Sequence, residues 1–217
     1  MISYQTTTPG ASLVEVESET PQPQGTEVLV KTIACGVCHS DIHIHEGVFE
    51  LGAGKQLEVG RKGQVLGHEI FGEVVAVGLD AEDVSVGDRR VVFPWIGCNE
   101  CPTCKRGEEQ LCTPGRALGI INPGGFADHV LVPHSRYLFD KGDVPDSLAA
   151  TYACSGLTAF GALKKVGDLQ EGEEIVIIGA GGVGMMAVQI AQAMGMDPIV
   201  VDIDEGKLAA VQDLGVD

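Results

Sequence analysis

Positive charge is scarce in this chain. Fourteen Lys and Arg stand against 31 Asp and Glu, a formal net charge of −17 over 217 residues. So acidic a chain offers no electrostatic footprint for nucleic acid or anionic lipid. The charges are dispersed rather than blocked, which reads as a soluble surface and not as an interaction tail. The opening Met1-Ile2-Ser3-Tyr4-Gln5-Thr6 has no basic stretch followed by an apolar one, so no secretory signal is evident. Internal repeats and low-complexity segments are missing too. One uncharged run, Ile175 to Met196, is long enough to span a bilayer. Glycines at 179, 181, 182 and 184 divide it into a short β-branched strand, a tight turn and a helix, and it reads as buried strand–turn–helix. Seven cysteines without a signal sequence favour metal ligation in the cytosol over a disulfide framework.

What is present is a division of soft ligands into a compact and a dispersed set. Cys98, Cys101, Cys104 and Cys112 have the spacing C-x2-C-x2-C-x7-C. Short spacings let one loop wrap a tetrahedral ion, and four thiolates satisfy zinc without an open position. The segment signals metal without saying which: C-x2-C-x2-C also opens a bacterial ferredoxin motif, although that motif ends differently. Cys38, His68 and Cys154 are far apart in sequence. A dispersed Cys/His/Cys set suits an open site, where a fourth position is left for water or substrate. Taken singly, Cys154 reads as a buried small hydrophobe, and so does Cys35.

Apolar residues make up 44% of the chain, enough for one large domain or two small ones. Up to Asp146 the pattern is of short β segments punctuated by glycine: 27–35, 71–78, 89–94, 126–133 and 136–140. This predicts a partly open β-barrel or sandwich. Residues 47–65 read as an irregular excursion. From Ser147 the texture changes to an Ala/Leu-rich helix over 147–166, then strand 174–178, helix 182–194, strand 198–202 and helix 205–214. That βαβα order is the opening of a parallel α/β sheet. The expected fold class is α+β followed by α/β, with domains at 1–146 (a cysteine lobe at about 95–115) and 147–217. The sequence stops at Gly215-Val216-Asp217, where a third strand is expected, so an N-terminal portion or a chain completed by another is the expectation.

Gly179-Ala180-Gly181-Gly182-Val183-Gly184 fits G-x-G-x-x-G and sits between a strand and a helix, the context that gives the pattern weight. Such glycines let the backbone approach a pyrophosphate at a helix N-terminus. Asp202, at the end of the next strand, stands where a carboxylate binds a ribose 2′-hydroxyl. A 2′-phosphate would meet Asp202, Asp204 and Glu205, so NAD is favoured over NADP.

These motifs together resemble the zinc-dependent alcohol dehydrogenases of the medium-chain dehydrogenase/reductase family. The resemblance rests on Cys-Gly-Val-Cys-His-Ser-Asp (35–41), Gly-His-Glu (67–69), the four-cysteine lobe, Cys-Ser-Gly-Leu-Thr (154–158) and the glycine turn, in that order. It implies a GroES-like β-rich catalytic domain followed by the first βαβα half of a Rossmann domain. It implies two zinc ions and NAD as cofactors: structural zinc on Cys98, Cys101, Cys104 and Cys112, and catalytic zinc on Cys38, His68 and Cys154, with Glu69 beside it. Asp41 would orient His68. His39 would contact the cofactor pyrophosphate, together with Gly179, Gly181, Gly182, Val183 and Gly184, and Thr158 would touch the nicotinamide. Ser40 would take the alcohol proton and His43 would pass it to solvent. Trp95 would line the substrate pocket. His45, His129 and His134 match no functional position. The implied partners are a small alcohol or aldehyde and further copies of the same chain, as a dimer or tetramer. Related zinc polyol, sugar or aryl-alcohol dehydrogenases share these motifs, and a non-catalytic zinc-binding fragment is the reading from another class.

Overall fold

The computed structural model describes residues 1–113, 115–167 and 170–216. It contains strands β1 (Ile2–Gln5), β2 (Val14–Glu17) and β3 (Val28–Gly36), helix α1 (His39–Glu46), and strands β4 (Val48–Gly52), β5 (Lys55–Glu58), β6 (Glu69–Val77) and β7 (Arg89–Val92). A one-turn helix α2 (Pro102–Lys105), strands β8 (His129–Val132) and β9 (Leu138–Phe139) and a short helix α3 (Asp146–Ala149) follow. The remainder is α4 (Ser155–Lys165), β10 (Glu174–Ile178), α5 (Gly182–Ala193), β11 (Asp197–Val201) and α6 (Glu205–Gln212). The chain divides into two compact units, Met1–Ala153 and Cys154–Asp217.

The first unit is built on a five-stranded antiparallel sheet in the order β8-β3-β6-β7-β9. Strand periodicity sends Val28, Val30, Ile70, Val74, Val92, Val130 and Val132 to one face, where they meet Ile96, Leu118 and Tyr137. Phe71 and Val91 point to the other face and pack on Ala149, Ala150 and Ala153. Burial of each such large side chain contributes about 1.5–3 kcal/mol. Residues 149–153 therefore belong with the β-rich unit. The start of β6 is buried on both faces, which is why Glu69-Ile70-Phe71 does not alternate in polarity as a half-exposed strand would.

In the second unit, β10 and β11 pair in parallel with α5 as the crossover. Ile177 and Val188 form a core with Val211 and Val216, and Leu163 on α4 meets Ala191 and Met196. The cross-strand neighbours Val176–Ile199 and Ile178–Val201 lie on the opposite, exposed face. Among the described residues no helix is long and apolar enough to cross a membrane, and the uncharged run 175–196 is the strand, turn and helix that its glycines imply.

Three expectations need correction. The single helix over 147–166 is two pieces: α3 passes into a 3-10 turn, Ala150–Ala153, and Cys154 breaks the helical path at φ −129°, ψ −72° before α4 begins. The Ala and Leu content of this stretch favours helix, but packing of the small alanines on Phe71 overrides propensity. Residues 48–58 form an antiparallel hairpin, with Phe49 opposite Leu57. Its Glu, Lys and Gln residues carry little strand signal. The segment 136–140 is divided between the end of a 3-10 turn, Ser135–Tyr137, and a two-residue strand, Leu138–Phe139.

Candidate metal centres and dinucleotide turn

The four-cysteine lobe folds around its own sulfurs. Cys101 caps α2, its Sγ accepting the Cys104 N–H at 3.4 Å, with Pro102 at the first helical position. The Cys101 N–H likewise donates to Cys98 Sγ and the Cys98 N–H to Cys112 Sγ, both at 3.3 Å. Sulfur–sulfur distances are 3.5 Å for Cys101–Cys104 and 3.9 Å for Cys98–Cys104 and Cys101–Cys112. A disulfide would need about 2.05 Å. A tetrahedron with Zn–S bonds of about 2.3 Å has edges of about 3.8 Å, so the four sulfurs stand at the corners that an ion requires. Backbone N–H groups of Glu100 and Cys101 draw the Cys98 thiol down to about 6. At Cys112 the Cys98 N–H acts downward, but burial and the neighbouring sulfurs outweigh it and push the thiol up to about 12. Four thiolates this close need a cation to coexist, and zinc fits.

The lobe is tied to the sheet through Glu109. Its Oε2 accepts the Gly97 N–H at 3.0 Å and the Tyr137 hydroxyl at 2.6 Å, and its Oε1 pairs with Arg136 at 2.8 Å. Tyr137 belongs to the sheet core. Sequence reasoning missed this clamp, since nothing in the spacing of Glu109 and Tyr137 marks them as partners.

The dispersed set is assembled by strand register. β3 and β6 run antiparallel with Gly36 opposite Glu69. Cys38, two residues beyond Gly36, and His68, one residue before Glu69, therefore emerge at the same end of the sheet, their ligand atoms within 4.8 Å. The missing side chain at Gly36 leaves room for the buried Glu69 carboxylate, which a Cβ there would strike. Cys38 is the N-cap of α1, and Asp41 closes a capping box onto it, Oδ2 accepting the Cys38 N–H at 2.9 Å. The other oxygen of Asp41 accepts the Gly67 N–H at 3.1 Å and faces His68 Nδ1 at 3.2 Å.

With Nδ1 directed at Asp41, Nε2 is the nitrogen left for a metal, and it carries the lone pair once the ring gives up a proton. That atom is buried and has no hydrogen-bond partner among the described residues. Burial alone would lower the imidazole pKa, but Asp41 and the Cys38 sulfur reverse this and raise it to about 9. A buried imidazole nitrogen facing a sulfur, oriented by a carboxylate, is the donor chemistry that zinc takes. Cys154 is buried and opens the second unit directly after Ala153. Cys35 is a different thiol: burial first, then Asp41, pushes it up to about 12, leaving it protonated and inert.

Ser40 and His43 lie one turn apart on α1. The His43 ring stacks on His39 with centroids 4.6 Å apart and leans on Phe49 of the hairpin at 4.8 Å. Trp95 donates from Nε1 to the Ala153 carbonyl at 3.1 Å and meets the His68 ring edge-on at 5.7 Å. The remaining histidines are structural: His45 bonds Ala11 O, His129 pairs with Asp128, and His134 caps the turn before Tyr137.

In the second unit, Gly179 takes φ +97° and its N–H donates to Val201 O at 2.7 Å, locking the turn onto β11. A Cβ at Gly184 would overlap the Gly179 carbonyl, while one at Gly181 or Gly182 would meet open space. Gly181 and Gly182 thus leave the N-terminus of α5 bare, as close approach of a phosphate requires. Val183 is exposed in the first turn of α5 and Thr158 is exposed on α4. Asp202 does more than end a strand. Its carboxylate accepts the Ala180 N–H at 2.7 Å and the Asp204 N–H at 2.9 Å, which hold its pKa below the usual value.

The family model for the alcohol dehydrogenase GroES-like domain matches residues 24–143, and that for zinc-binding dehydrogenases matches 182–217. An NAD-dependent alcohol dehydrogenase of Sulfurisphaera tokodaii is 42% identical over 200 residues, covering 91% of this chain and 57% of that protein. The structure of acetophenone reductase from Geotrichum candidum in complex with NAD superposes with TM-score 0.84 at 33% identity, over 100% of this chain and 62% of the other. A cobalt- and zinc-bound thermostable alcohol dehydrogenase from Pyrobaculum aerophilum gives TM-score 0.82 at 30% identity, over 100% and 64%. The chain spans somewhat more than half the length of the relatives it matches.

Proposed function

The chain belongs to the zinc-dependent alcohol dehydrogenases of the medium-chain dehydrogenase/reductase family, and on that premise we propose that it serves reversible hydride transfer between an alcohol and NAD. The observation that carries the proposal is the buried, unpartnered Nε2 of His68 beside Cys38. In this reading Cys38, His68 and Cys154 hold a catalytic zinc, and the lobe cysteines hold a structural one. Zinc held there would supply Lewis acidity, lowering the pKa of an alcohol so that it can lose its proton near neutral pH.

The chain's own residues do the rest. Asp41 keeps the proton of His68 on Nδ1, so that Nε2 remains a donor to metal. Ser40 accepts the alcohol proton, and His43, one turn along α1, carries it to solvent. The stack of His43 between His39 and Phe49 limits where that imidazole can point. His39 and the bare N-terminus of α5, at Gly181, Gly182 and Val183, receive the pyrophosphate of NAD. Thr158 touches the nicotinamide, and Asp202 meets the ribose while it braces Ala180. Glu69 stands beside the zinc ligands. A small alcohol or aldehyde is the substrate, and the assembly is a symmetric homo-oligomer. Production of NADH from a panel of alcohols, by the protein containing this chain, tests the reading; no turnover with zinc fully loaded would refute it.

A further inference from the structure

Trp95 makes two directed contacts among the described residues. Its Nε1–H donates to the Ala153 carbonyl, and its ring meets His68 at an interplanar angle of 61°. The main chain that carries it is pinned on both sides. Phe93 N–H donates to Tyr137 O at 2.8 Å, Leu118 N–H to Pro94 O at 3.0 Å, and Arg116 N–H to Ile96 O at 2.8 Å, with Pro94 and Ile96 buried. The indole is thus delivered from a rigid segment.

What it holds is less constrained by its own backbone. The Ala153 carbonyl lies just before the α4 ladder, whose first bond runs from Thr158 N–H to Cys154 O. The peptide between the 3-10 turn and α4 departs from helical geometry at Cys154. A carbonyl at such a junction needs a donor from outside the helix, and the indole supplies it. On its other side the same ring limits rotation of the His68 imidazole, whose Nδ1 is already directed at Asp41.

We propose that Trp95 is a positioning residue for the metal. It sets the His68 ring and the peptide leading into Cys154 from one rigid point, so that two ligands from distant parts of the sequence are registered before an ion arrives. This rests on the reading that Cys38, His68 and Cys154 bind zinc, and it adds to the expected role of the ring in lining the substrate pocket, with the N–H committed to Ala153.

The test is metal titration of the metal-free chain, as wild type, Trp95→Phe and Trp95→Ala, with Co(II) and with zinc under chelator competition. The lobe site is the internal control. We expect lobe affinity to stay unchanged, and the second site to weaken about 10- to 100-fold in Trp95→Ala. Trp95→Phe, which keeps a ring but loses the N–H, should weaken it less, with a shifted Co(II) ligand-field band. As Trp95 is the chain's single tryptophan, wild-type emission should change when the second site fills and not when the lobe fills. Wild-type affinity and an unshifted band in both variants would overturn the proposal; should Trp95→Ala fail to fold, Trp95→Phe decides alone. A wild-type chain that takes up only the lobe ion would refute the second metal site itself, and this proposal with it.

Discussion

Asp41 Oδ1 lies 3.2 Å from His68 Nδ1, with both side chains buried, while the second oxygen of Asp41 holds the N–H of Cys38. One carboxylate thereby orients two of the proposed ligands, which are distant in sequence. Asp41→Asn keeps one of the two acceptor oxygens but loses the charge. It should lower zinc affinity at the second site about 10- to 100-fold, measured by chelator competition. Asp41→Ala should in addition destabilise the fold by about 1–3 kcal/mol for each donor left unsatisfied, measured by urea unfolding. Unchanged affinity in Asp41→Asn would remove the orienting role.

Cys101→Ala removes a proposed zinc ligand and the cap of α2 together. The expected result is loss of the lobe metal and a lower melting temperature, with the second ion retained. Metal content by plasma emission, alongside circular dichroism, reads both. Loss of both ions from a protein that is still folded would contradict two independent sites.

The glycines of the turn are not equivalent. Gly184→Ala forces a Cβ onto the Gly179 carbonyl and should destabilise the second unit by about 1–3 kcal/mol. Gly182→Ala meets open space, so it should melt like wild type yet weaken NAD binding by blocking phosphate approach. Thermal melts and NAD titration separate the two; equal stability of both variants would sink the steric argument.

Asp202 gives a pH dependence of known sign. Its folded pKa lies below the ordinary 3.8, chiefly through the Ala180 N–H. Its contribution to stability is therefore present above 3.8 and fades as pH falls through the folded value. Urea midpoints of wild type and Asp202→Asn should differ near neutrality and converge only as the pH falls below 3.8 and through the lower folded value. A constant gap across that range would refute the coupling.

The lobe was legible because its ligands are local: four cysteines within one loop leave few ways to fold, and the structure adopts the compact one. The glycine turn was legible for the same reason. The second metal set was not deducible from spacing, since Cys38 and His68 meet through the Gly36–Glu69 register, a long-range fact that only the resemblance could stand in for. The break at Cys154 was hidden by the Ala/Leu content on either side, although Ser155 and Gly156 beside it are weak helix formers. The hairpin at 48–58 was hidden by polar residues, although Gly52 and Gly54, both at positive φ, mark its turn. Glu109, Tyr137 and the Trp95–Ala153 bond are tertiary contacts with no local signature at all.

The most direct test is the number of zinc ions held by the purified chain, counted by native mass spectrometry for wild type, Cys38→Ala and His68→Ala. The account requires two ions in wild type and one in each variant, with the lobe ion remaining. A single ion in wild type, or two ions in His68→Ala, would contradict it.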